Sequence, residues 1–206
     1  MAKNKEVWIR TDETNEFLGD LKHLSHLLKL VLDNPATWKW VILTLHNTLE
    51  GALICHIGGH DTSGTLYLTP ASAKAVLERL NDRDRQLQNM PWPKEKLLPM
   101  NELYKLAKKE KYLTEAHAIE PNTSMDFSIK ILHEHRNLLD HFRPQGLSMD
   151  ICGLPQILSD FCEIIKQFTY RKATTCSRLP DHKEIIQLNL DAIQSDVKRI
   201  AAHWAS

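Results

Sequence analysis

The sequence predicts an all-α protein: a helical bundle of about five or six helices, interrupted by an insertion of loop and short helix. Three observations predict it. Apolar residues recur at helical spacing through most of the chain. Prolines and glycines fall mainly at or beyond the ends of those periodic stretches. Glycine is scarce, with 7 residues in 206, whereas an all-β chain with many tight turns needs more.

The first helix is expected over 13–33, where Phe17, Leu18, Leu21, Leu24, Leu27, Leu28 and Val31 repeat with helical period. Asp33-Asn34-Pro35 supplies a stop, a cap and a first-turn proline for a second helix. That helix carries Trp38, Val41, Ile42, Leu45, Leu49, Ala52 and Leu53 and should end at Gly58-Gly59. The short link makes the two an antiparallel hairpin.

Residues 58–69 read as a loop, and Thr69-Pro70 opens a third helix to about residue 82. The stretch 88–101 contains Pro91, Pro93 and Pro99 and cannot be one regular element. A short helix follows over Met100–Lys111. Residues 83–121 are too few to bury a core of their own, so they are expected to be an insertion within one domain spanning 1–206. Pro121-Asn122-Thr123-Ser124 caps a long helix over 124–142, ended by Pro144 and Gly146. Further helices are expected over 154–170 and 181–204, with 171–180 irregular between them.

Composition narrows the function classes. Hydrophobic residues at 42% and charged residues at 25% describe an ordinary globular chain and argue against disorder. The formal net charge is +0, so no global field attracts nucleic acid, and any such partner must be held by a local patch. No apolar run approaches the ~18 residues of a membrane span. The polar start Met1-Ala2-Lys3-Asn4-Lys5-Glu6 lacks an apolar signal region. Cys55, Cys152, Cys162 and Cys176 form no C-x-x-C pair. A cytoplasmic protein with reduced thiols is the expectation.

Chemically capable side chains are densest in His133-Glu134-His135-Arg136-Asn137-Leu138-Leu139-Asp140-His141. On a helical wheel, Ser128, Ile131, Leu132, His135, Leu138, Leu139 and Phe142 share one face, which predicts a core face with His135 as a buried structural histidine. Lys130, His133, Glu134, Arg136, Asn137, Asp140 and His141 occupy the other. One reading of that face is simple solvation. A metal is a second, with His133, Asp140 and His141 as ligands. The ends of that stripe stand two turns, about 11 Å, apart, and one ion cannot reach both. Neither metal nor cofactor is therefore expected. The third reading is phosphoryl chemistry on RNA. Histidine suits the proton steps because it titrates near the operating pH. Arginine suits the phosphate because its planar fork binds two oxygens and keeps its charge. Arg136 and His141 lie roughly 140° apart on an ideal helix, so a phosphate meets both only on a concave surface, supplied by another helix or a second subunit.

Arg136-Asn137-x-x-x-His141 resembles the R-N-x-x-x-H motif of the HEPN superfamily. The setting is similar too: a helical bundle, the motif late in a long helix, another helix following. The likeness covers about 15–60 and 122–204. It implies a metal-independent endoribonuclease that acts as a homodimer, with RNA as partner, in the manner of a toxin held by an antitoxin or of a stress or phage-defence nuclease. Carried over, Arg136 binds the scissile phosphate, His141 transfers protons and Asn137 supports both. His133, Asp140, Arg143 and His46 are the candidate substrate contacts around them. The alternative is a non-catalytic helical module that binds a nucleotide or a protein partner with the same face.

Other candidates have milder readings. His46, Asn47 and Glu50 lie on the polar side of the second helix and could line the same cleft or pack within the hairpin. Cys55, His56 and His60 are too few for a metal site. Lys105, Lys108, Lys109 and Lys111 form a basic patch able to hold an RNA backbone, or a solvated face interleaved with Glu102 and Glu110. Trp92, between two prolines, is expected to pack or to touch a ligand.

Overall fold

A computed structural model describes residues 11–58, 65–67, 96–113, 117–140, 148–170 and 180–205. Among these residues the chain forms six α-helices: α1 (Glu13–Leu28), α2 (Thr37–Gly58), α3 (Met100–Ala107), α4 (Thr123–Asp140), α5 (Leu154–Tyr170) and α6 (Pro180–Ala205). The expected all-α class is what the structure shows. A two-residue antiparallel bridge pairs Leu66 with Leu97 and Tyr67 with Lys96, and a 3-10 turn covers Glu110–Tyr112. No helix among the described residues is long and apolar enough to cross a membrane.

Helix α1 starts where Asp12 accepts the Asn15 backbone N–H at 2.8 Å, a side-chain cap for an otherwise unpaired donor. It stops at Leu28, five residues before the expected end. The apolar pattern continues through Val31, which is buried, but there the chain is already turning, with Leu30 N–H on the Leu27 carbonyl and Asn34 N–H on the Leu30 carbonyl. Periodicity marks what is buried, not what is helical. The open end of α1 is met from far along the chain, where Arg199 of α6 donates to the Leu28 carbonyl at 3.2 Å. Pro35 lies in the turn before α2 rather than in its first turn, and the helix starts at Thr37. A Cβ at Gly51 would stand 3.5 Å from that of Phe17, so the far end of α2 lies beside the start of α1. The hairpin is antiparallel, as its short link requires.

Helix α2 occupies the middle. It packs on α1, α3, α4 and α5, and Val41, Ile42, Leu45, Leu49 and Leu53 are all buried. A helix apolar around most of its girth belongs inside a bundle. Helix α3, from the stretch expected as an insertion, buries Met100, Leu103, Tyr104 and Ala107 in the same core. Helix α6 packs on α1 and α5 and brings Trp204 to 5.6 Å from Trp38.

Helix α4 begins with the Met125 N–H on Asn122 Oδ1 at 2.8 Å, the expected cap. Its orientation about its own axis departs from the wheel. The fully buried residues are Met125, Ser128, Ile129 and Leu132. Leu138 is 46% exposed, and His135 is half-buried instead of sitting at the centre of the core. On an ideal helix the buried arc is turned by about 70° from the expected one. The N-terminal half sets this phase. Ser124 and Ser128 both donate to Asp160 Oδ2 of α5, at 2.7 and 2.6 Å, while Met125 and Ile129 join the core. Gln156 donates to the other oxygen of Asp160 at 3.1 Å. A buried carboxylate satisfied by three donors is costly to disturb. The expected helix over 70–82, the 83–95 part of the expected insertion with Trp92, and the 171–179 segment with Cys176 lie outside the described residues.

Gly19 is exposed in the interior of α1, and a Cβ there would meet nothing within 4 Å. Gly19→Ala should therefore stabilise the protein by about 0.5–1 kcal/mol through the lower backbone entropy of the unfolded chain, read as a higher urea midpoint; a lower midpoint would contradict the packing described here.

Candidate functional site

The turn of α4 about its axis changes the character of the motif face. Instead of pointing straight into solvent, His133, Arg136 and Asn137 are half-buried on the α2 side of the helix. Asp140 remains exposed. The four side chains form a connected row. Asp140 Oδ2 pairs with Arg136 Nη1 at 3.0 Å. The same Nη1 donates to Asn137 Oδ1 at 3.3 Å, and Asn137 Nδ2 lies 3.2 Å from His133 Nε2. The guanidinium can only donate, so it orients the Asn137 amide with its oxygen toward Arg136 and its NH2 toward His133. His133 then accepts at Nε2 and carries its proton at Nδ1. That nitrogen is buried and has no hydrogen-bond partner among the described residues.

The row continues into α2. The His46 ring stacks on His133 with centroids 5.8 Å apart and planes 29° from parallel. His46 is only 3% exposed, so its ring is enclosed in the α2–α4 seam rather than open to solvent. Burial pushes its pKa down from 6.5 to about 4, and the nearby Arg136 and His133 push the same way. Asn47 and Asp140 offset this in part, but neither ring nitrogen closes a hydrogen bond of good geometry. One turn further along α2, burial raises the Glu50 carboxyl, against the pull of the Arg136 cation. One guanidinium thus influences groups on both helices.

The structure therefore brings together His46, His133, Arg136, Asn137 and Asp140. His141 and Arg143, the remaining residues expected here, lie outside the described residues. Among the described residues no three His, Cys, Asp or Glu side chains converge as metal ligands. His56, expected beside Cys55 and His60, is a packing residue. Its ring lies 4.1 Å from that of Phe168, and its Nε2 donates to the His117 carbonyl at 3.0 Å. Burial pushes its pKa down to about 4 as well. His60 lies outside the described residues. His135, expected in the core, is half-buried, and burial lowers its pKa.

The site also has a neighbour that periodicity did not reveal. Tyr104 of α3 packs beside α4, and burial together with Asp126 raises its phenol pKa. Only the α3–α4 contact discloses it; in the sequence Tyr104 is one apolar position of a short helix.

No protein-family model, curated protein or solved structure matches this chain. The site's chemistry rests on its own geometry.

His46 and His56 are held neutral in the fold and would titrate near 6.5 when unfolded. The unfolded state therefore binds more protons between pH 6.5 and about 4. Their contribution is complete above pH 6.5 and is lost as pH falls, by about 1.4 kcal/mol per histidine for each pH unit until about 4. Urea unfolding at pH 7 and pH 5 should show this loss, and His56→Phe should remove its own share of the slope. An unchanged slope in that variant would contradict the buried neutral state.

Proposed function

We propose that this chain is a metal-independent endoribonuclease of the HEPN type, working as a homodimer on RNA. The observation that carries the reading is the row His46–His133–Asn137–Arg136, in which a cation and two imidazoles are lined up on a half-buried seam. Both contacts of Arg136 use Nη1. Among the described residues Nε and Nη2 stay available, so the fork can take two phosphate oxygens while Asp140 and Asn137 hold it from behind. The ion pair with Asp140 is partly exposed and costs little to reshape.

In the reaction, the 2′-hydroxyl of the nucleotide preceding the cut loses its proton to a base and attacks the phosphorus. The P–O5′ bond breaks, and the 5′-oxygen leaves with a proton. The products are a 2′,3′-cyclic phosphate, which water can open to a 3′-phosphate, and a 5′-hydroxyl. Arg136 neutralises the charge that builds on the phosphoryl oxygens. His141 performs proton transfer. Asn137 fixes the guanidinium and the His133 tautomer, and His133 with His46 backs the row from inside. A biological role as a toxin with an antitoxin partner, or in stress or phage defence, follows from the same resemblance.

Purified protein should cut RNA in EDTA and leave cyclic or 3′-phosphate ends. Arg136→Ala and His141→Ala should each lower the rate by about 10²-fold or more without changing the circular-dichroism melt. Undiminished cutting by the double variant ends the assignment. Saturable RNA binding without cutting, lost on the same substitutions, would instead favour the non-catalytic module.

A further inference from the structure

A cavity of about 450 Å3 opens between α3 and α4, on the side of His133 away from Asn137. It is far larger than a phosphate and falls within the ordinary range of small-molecule sites, about 300–1,000 Å3. Its walls divide by chemistry. Ile129 and the Tyr104 ring supply an apolar floor, and Lys105, Lys108 and Lys130 stand around it. Two carboxylates, Asp126 and Glu134, share the lining, so the cations outnumber the anions by one.

The lysines differ in how firmly they are held. Lys108 is fixed, 2.9 Å from Asp126 and 4.8 Å over the Tyr104 ring. Lys105 and Lys130 are 60% and 71% exposed; Lys105 pairs with the exposed Glu102 at 2.7 Å, and Lys130 stands 3.9 Å from Glu134. Exposed pairs of this kind exchange readily for a phosphate. Buried polar atoms add a second, independent sign of a missing partner. Tyr104 is almost fully buried, with Asp126 within reach of its Oη but no hydrogen bond of good geometry between them. Nδ1 of His133 is likewise buried and unpaired. In native structures such groups ordinarily find a partner.

We infer that the α3–α4 cavity is a nucleotide-binding site, with the phosphate held at Lys105 and Lys130 and the base resting on Ile129 and Tyr104. The apolar floor suits the face of a base, while Tyr104 Oη and the Asn101 side chain offer hydrogen bonds to its edge. The occupant is a nucleoside monophosphate unit, free or as one residue of an RNA strand. This assignment stands on the cavity and its lining and does not need the cleavage reading, although His133 borders both sites.

The test is isothermal titration of the full chain with AMP, GMP, CMP and UMP, and with inorganic phosphate as control. At least one monophosphate should bind, and phosphate alone should bind far more weakly. The double variant Lys105→Glu/Lys130→Glu should weaken nucleotide binding by about tenfold or more with an unchanged melting curve. A second variant, Asn101→Ala, should change the preference among the four bases. A 2′-O-methyl RNA oligomer, which the proposed reaction cannot cut, separates the sources. If its affinity falls in the double variant and the monophosphate competes with it, the occupant is a strand residue. If its affinity is unchanged, the occupant is a free nucleotide. Absence of monophosphate binding by the unaltered chain, binding indifferent to the double variant, or phosphate binding as tight as nucleotide would each overturn the inference. None of these readings depends on whether Arg136→Ala abolishes cutting.

Discussion

The burial of α2 on most sides is the constraint on which the other elements depend. It packs on α1, α3, α4 and α5 and meets α6 through Trp38, and its leucines at positions 45, 49 and 53 are completely enclosed. Beyond Lys39, Trp40 and Asn47, which reach solvent, α2 offers its side chains little water. Its two histidines must be accommodated inside, and each finds an aromatic or imidazole ring to lie against, Phe168 for His56 and His133 for His46. The second of these contacts joins the central helix to the motif helix. What looks like a polar motif on α4 is therefore one half of an inter-helix seam.

That seam has an electrostatic logic. Charged imidazolium is disfavoured by burial at His46, and the Arg136 cation reinforces the effect. Neutral rings can accept as well as donate, so the row from Asp140 to His46 mixes one fixed cation, one anion and hydrogen-bonding groups of both kinds. Asn137 is the hinge of the arrangement, because one amide serves the guanidinium and the imidazole at once.

Much of the fold was legible in the sequence, and the reasons are local. Gly58 ends α2, Asn122 caps α4, and α5 spans Leu154–Tyr170 as its spacing predicts. The end of α1 was not, because Leu30, Val31 and Leu32 continue an apolar pattern through a turn. At the candidate site, the identities of His133, Arg136, Asn137 and Asp140 could be read, but not how deeply they sit. The wheel gave equal weight to Leu138, Leu139 and Phe142 and to the first two turns. The structure gives the first two turns priority, because there an entire set of hydrogen bonds to Asp160 accompanies the apolar contacts. The stacking of His46 on His133 required knowing that α2 and α4 are neighbours, which periodicity within one helix does not contain. The cavity beside Tyr104 was hidden for the same reason.

Asp160 then acquires a meaning beyond packing. A helix is stiff against twisting, so a carboxylate that grips Ser124 and Ser128 behaves like an indexing pin on a shaft. Arg136 lies eight residues past Ser128, about 12 Å along the axis, and its angular position follows that of the pin. The bearing of the motif on its neighbours is thus decided on a different helix from the one that carries it. A lineage could retune or retire the site by changing α5 alone, leaving every residue of the motif in place.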